Sequence, residues 1–70
     1  MAVALRIALE QEIDGRWIAE VAELPGVLAY GATQDQAIAQ VQALALRVVA
    51  GRLEHGEAGH EFLDISFAAA

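Results

Sequence analysis

Apolar and polar residues alternate from residue 2 to residue 10. Val3, Leu5, Ile7 and Leu9 point one way, and Ala4, Arg6, Ala8 and Glu10 the other. A period of two over this length predicts a half-buried strand. Asp14-Gly15 follows, a dipeptide that marks a hairpin because glycine accepts the positive φ a tight turn demands. Residues 16–22 (RWIAEVA) read as the returning strand, with Trp17, Ala19 and Val21 on one face. At Leu24-Pro25-Gly26, proline presets φ for the first turn position and glycine supplies the next, which predicts a type II turn. Residues 27–30 then form a short third strand, ended by Gly31.

The period changes after Gly31. Thr33 and Gln36 have the spacing of a capping box, and Asp35 suits the positive end of the helix dipole. The helix is expected from about residue 34 to residue 54 or 55. Gly51 is a tolerated weak point or an early stop, and Gly56 is the preferred C-terminal cap. Residues 61–67 (EFLDISF) alternate again, with Leu63, Ile65 and Phe67 on one side, and predict a fourth strand; residues 68–70 form a short tail. The expected fold is therefore α+β in the order β-β-β-α-β. Three strands form a meander, the helix crosses one face, and the fourth strand returns parallel to the first in a four-stranded mixed sheet, by a right-handed crossover under the usual rule.

Around the helix, Ala37, Val41, Leu44, Ala45 and Val48 make one stripe, with Ile38 and Val49 at its edge, and this stripe belongs on the sheet. Leu46 and Leu53 lie on another side, flanked by Ala39 and Ala50. The polar strip (Gln36, Gln40, Arg47, Glu54) is narrow, so a second contact surface is expected through Leu46 and Leu53; the plainer alternative is two exposed leucines. One helix covers only one sheet face, which leaves Ala4, Ala8, Ile18 and Ala22 uncovered and makes Ile18 a further interface candidate.

Size and composition sharpen this expectation. Seventy residues make one domain, and a chain of about this length buries only ~60% of its unfolded surface. Small domains compensate with disulfides, metals or association. There is no cysteine, while 57% of residues are hydrophobic, much of the excess being alanine. Association, as a dimer or higher, is the compensation left. Ten acidic residues stand against four arginines and no lysine, a formal charge of −6. Direct nucleic-acid binding is excluded on this balance, because phosphate neutralisation needs cations. The charge suits either a basic partner or simple solubility. No apolar run is long enough to span a membrane, and acids come too early for a signal peptide, so a cytoplasmic location is expected.

Catalytic chemistry finds no support. Ser66 and Thr33 are the only hydroxyl residues of their kinds, and both have structural roles in the predicted elements. No phosphate loop is present, and no carboxylate pair sits in an apolar setting that would separate its pKa values. In residues 54–61 (EHGEAGHE), His55 and His60 with Glu57 or Glu61 are borderline ligands for zinc or nickel. A glycine-punctuated loop does not preorganise ligands, and a solvated polar loop is the better reading. No metal, cofactor or catalytic residue is assigned.

The order of these signals resembles that of a known family. An Asp14-Gly15 turn, Trp17 in a strand, a Leu24-Pro25-Gly26 corner, Gly31 and Thr33 before an Ala37-containing helix, and Gly56 before a last strand together resemble the HicB-like antitoxin family, over about residues 3–67. The resemblance implies a single HicB-like domain over residues 1–70, a partial ribonuclease-H-like sheet with strand order 3-2-1-4, without the acidic catalytic cluster of true nucleases. It further implies a non-enzymatic module that pairs with a small basic messenger-RNA-cleaving toxin of double-stranded-RNA-binding fold and neutralises it. Many family members carry a C-terminal helix-turn-helix or ribbon-helix-helix segment; this sequence stops after the fourth strand, and autorepression is not carried over. The alternative is an orphan homo-oligomeric domain with an unknown ligand or regulatory partner; a vestigial nuclease or metal-dependent enzyme is the third class.

Overall fold

The first alternation becomes β1 (Ala2–Gln11), followed by β2 (Trp17–Val21), β3 (Leu28–Gly31), α1 (Gln34–Glu54), a 3₁₀ turn (His60–Leu63) and β4 (Asp64–Ala69) in a computed structural model that describes residues 2–57 and 60–69. The sheet order is β3-β2-β1-β4. β1 runs antiparallel to β2, β2 antiparallel to β3, and β4 parallel to β1. This is the expected α+β architecture, a four-stranded mixed sheet with one helix packed on one face.

Each turn follows from its residues. The Gly15 N–H donates to Glu12 O (3.0 Å) and the Glu12 N–H to Arg16 O (2.7 Å), with Gly15 at φ 92° and no other residue of the turn at positive φ. A type I turn therefore closes on a left-handed glycine, rather than a two-residue mirror-image turn. At the next corner the Val27 N–H donates to Leu24 O (3.0 Å) and Gly26 has φ 84°, the hydrogen bond and torsion of the expected type II turn. Leu24 is more than a corner residue. It is among the largest fully buried side chains of the core.

The helix cap also forms, with one change. Thr33 Oγ1 accepts from the Gln36 N–H (3.1 Å), while Gln36 Oε1 accepts from the Ala32 N–H (3.0 Å), one residue earlier than a standard capping box. At the other end the Gly56 N–H donates to Leu53 O and the Glu57 N–H to Arg52 O. With Gly56 at φ 68°, these are the paired bonds of a Schellman motif.

Four expectations need correction. Gly31 does not stop the third strand from outside; it is the last residue of β3, opposite Trp17. A Cβ there would collide with the backbone nitrogen of Ala37 and lie 2.9 Å from its Cα, so glycine lets the first helical turn sit against the strand. The fourth strand begins at Asp64 rather than Glu61. The β1 ladder takes Asp64 against Ala2, and the preceding 3₁₀ turn packs Phe62 against the core and leaves Leu63 78% exposed. Ala68 and Ala69 are not tail but strand, paired with Arg6 and Ile7; Ala70 lies outside the described residues. Finally, the buried helix stripe is Ala37, Val41, Ala45 and Val49, with Leu44 and Val48 only half-buried beside it. Steps of four residues carry Val49 from the edge into the stripe and rotate the helix slightly from the expected orientation.

The core lies between this stripe and Leu5, Ile7, Ala19 and Val21 of the sheet, closed by Leu24 and Val27 from the corner. No buried side-chain polar atom among the described residues lacks a partner.

Candidate interaction surfaces

Strand register determines what the face opposite α1 presents. Tyr30, Ile18 and Glu10 form one cross-strand row, and Leu28, Glu20 and Ala8 the next. On the far side Arg6 lies opposite Ala68, and Ala4 opposite Ser66. Among the described residues no element covers this face. Tyr30 is 44% and Leu28 38% exposed, Ile18 is half-buried between its neighbours, and Ala4, Ala8 and Ala22 are open. A depression of about 140 Å³ lined by Ala8, Leu9, Glu10, Ile18 and Glu20 sits at its centre.

The electrostatics of this face are set by where its arginines are tied. The Arg6 Nε–H donates to Glu23 Oε2 (2.7 Å), and the Arg6 backbone N–H to Glu23 Oε1 (2.8 Å). Arg16 makes the same double contact with Asp14, through Nε to Oδ2 (2.8 Å) and backbone N–H to Oδ1 (3.0 Å). The backbone N–H bonds, followed by the guanidinium contacts, hold the Glu23 and Asp14 carboxyls below their ordinary values. Arg16 also places its guanidinium carbon 4.7 Å from the centre of the Tyr30 ring, within cation–π range. Two of the four arginines are thus committed locally, and Glu20 in the middle of one row and Glu10 at the end of the other make the face acidic.

A second surface lies on the helix side. α1 packs over β2 and β3, and beside it a shallow groove of about 150 Å³ opens over β1 and β4, lined chiefly by Leu9, Ile38, Gln42, Phe67 and Ala69. Leu46 is one turn beyond Gln42 on the same side of the helix, and Leu53 two turns further. They are 48% and 51% exposed. The Leu46–Leu53 stripe therefore flanks the half of the sheet that α1 leaves open, instead of lying on the helix back.

The remaining sequence candidates are structural. Asp14, Gly15, Leu24, Pro25, Gly26, Gly31 and Thr33 form turns, a core contact and a helix cap, and they converge on no common site. His55 Nδ1 lies 2.7 Å from Gly51 O at the helix end. No group of three or more metal-capable side chains occurs among the described residues; Ala58 and Gly59 of that loop lie outside them. Nothing in the sequence alone singles out Leu28 and Tyr30. In a four-residue apolar run both faces look alike, and only the register with Ile18 and Glu20 assigns these two outward. No described helix is long and apolar enough to cross a membrane.

The chain matches no protein-family model, no curated protein and no solved structure.

Proposed function

We propose that this protein is a non-enzymatic, HicB-like antitoxin-type interaction module whose outer sheet face receives a small basic protein. The observation that carries this reading is the uncovered face itself. Tyr30, Ile18 and Leu28 supply apolar contact area, and Glu10 and Glu20 stand among them in the same rows with charge complementary to a basic partner. Such charges steer encounter and select partners more than they add affinity, while aromatic and aliphatic anchors supply most of the binding energy. The turn and cap residues shared with the HicB-like pattern support the same reading, and the partner is then a messenger-RNA-cleaving toxin met in the cytoplasm. The second reading, an orphan homo-oligomeric domain, is favoured by the open groove beside Leu46 and Leu53.

The test is a search beside this chain's gene for one encoding a small basic protein, followed by binding and rescue with that protein; a neighbourhood without such a gene counts against the reading. Calorimetry should give a complex that weakens with added salt, and co-expression should relieve growth arrest caused by the basic protein. Ile18→Glu with Tyr30→Ala should abolish both effects without changing the circular dichroism spectrum. Absence of a complex, or a complex indifferent to those substitutions, refutes the outer-face assignment.

A further inference from the structure

The two edges of the sheet are built differently. β3 is four residues long and ends in Gly31 against the first turn of α1. β4 is six residues, DISFAA, with one charge at its first position and no lysine, arginine, proline or glycine. Its register with β1 is continuous from Ala2–Asp64 to Ile7–Ala69, without a bulge, and nothing among the described residues pairs with its other side. Edge strands are normally shortened, charged, kinked or covered, because a bare row of N–H and C=O groups templates another strand. Beyond Asp64, β4 has none of these protections among the described residues.

We infer that β4 pairs antiparallel with β4 of a second copy of this chain, joining the two sheets into one. The backbone row calls for a strand, and the side chains select the same strand. With the two-fold axis at Ser66, Ile65 of each copy faces Phe67 of the other on the helix side. Both are half-buried residues packed against the core, on the half of the sheet that α1 leaves open. Ser66 then meets Ser66, and Asp64 meets Ala68, so no like charges stand opposite each other. This matters for a chain of charge −6. Stacking two copies through their outer faces would instead bring Glu10 and Glu20 of both together. A basic strand from another protein would find no acidic residue at positions 65–69 to recognise. The pairing is independent of the outer-face reading and leaves that face open in both copies.

Sedimentation equilibrium at micromolar concentration tests it. The wild-type chain should have twice the 7.4 kDa mass of one copy. Ser66→Lys places like charges directly opposite each other across the seam at an exposed position, and should halve the mass while preserving the circular dichroism spectrum. Independently, Ser66→Cys introduces the only thiol, and mild oxidation should convert the protein to a covalent dimer, because directly opposed residues bring their Cβ atoms within about 4.5–5.5 Å. A wild-type mass of 7.4 kDa, an undiminished mass in the lysine variant, or a Ser66→Cys chain that stays uncrosslinked overturns the inference. Titration with the basic partner reads the outer face separately, so failure of either assignment leaves the other measurable.

Discussion

The two faces of this sheet are written in the same strands, one residue apart, yet they meet different surroundings. On the helix side, Leu5, Ala19 and Val21 are almost wholly removed from water; on the other side, Ile18, Leu28 and Tyr30 keep contact with it. Both sets are apolar. The inner set has found its partner in the stripe Ala37, Val41, Ala45 and Val49 of the same chain, and the outer set has none among the described residues. Hydrophobicity alone therefore does not mark the core. What distinguishes the faces is that one helix has only one stripe to give. The apolar surface left over is available for association.

The comparison breaks most visibly if the faces respond alike to truncation. Leu5→Ala should destabilise the domain by about 2–5 kcal/mol, since a buried leucine leaves both lost transfer energy and a cavity. Leu28→Ala, chemically the same change, should stay within about 0.5 kcal/mol in the isolated chain. Urea denaturation monitored by circular dichroism measures both, and equal losses would mean that the outer face is covered in solution even before a partner is added.

The Leu24-Pro25-Gly26 corner keeps the faces apart. It sets which residue of the third strand pairs with Glu20, and a slip of one residue would exchange Leu28 and Tyr30 with Val27 and Ala29. Open space surrounds Gly26, so the cost of a side chain there is backbone strain alone. Gly26→Val should cost about 1–2 kcal/mol, read as a lowered urea midpoint; an unchanged midpoint would remove this corner as the determinant of register.

The smallest effect expected is that of acid. The Asp14 and Glu23 carboxyls are held below their ordinary values of 3.8 and 4.5 by the N–H groups and guanidinium groups of Arg16 and Arg6. The folded state thus binds fewer protons than the unfolded state as pH falls toward these values. The stabilisation is full above the ordinary values and is lost as pH drops through the lowered ones. Both pairs are exposed and screened, so the stability change should be slight. It should nevertheless be local. Tyr30 ring and Arg16 Nε resonances should shift together on acidification while those of core methyls stay put, and concerted movement of the core signals would contradict the assignment.

Much of this arrangement is legible in the chain, and the exceptions have a common cause. Strict alternation in residues 2–10, the Asp14-Gly15 and Pro25-Gly26 signals and the Thr33 cap are local, and each forms where its residues predict. The start of β4 is not local. In EFLDISF only Phe62 breaks the alternation of Leu63, Ile65 and Phe67 with polar residues, and nothing in the stretch reveals that the ladder opens with Asp64 opposite Ala2, or that Phe62 turns inward. Gly31 looks like a strand terminator because the approach of Ala37 depends on packing. Leu24 hides its burial inside a turn motif. On the candidate surfaces, Ile18 could be named from its place opposite the helix-facing residues, whereas Leu28 and Tyr30 needed the cross-strand register. Leu46 and Leu53 were visible as a second stripe, but their neighbourhood, beside the open half of the sheet, depends on which strands the helix overlies.

The parallel pairing of β1 with β4 has a consequence for how the molecule comes together. β2, β3 and α1 succeed one another along the chain and can assemble through short loops, with β1 joining by a hairpin. β4 must instead close a loop of roughly sixty residues, and parallel pairing gives slightly less per residue in return. The meander and helix should therefore form before the last strand docks onto them. Until it does, β1 is itself the bare edge, with Val3, Leu5 and Ile7 beside it. Refolding yield should accordingly fall with protein concentration, as partly built molecules capture one another through the place reserved for their own final strand.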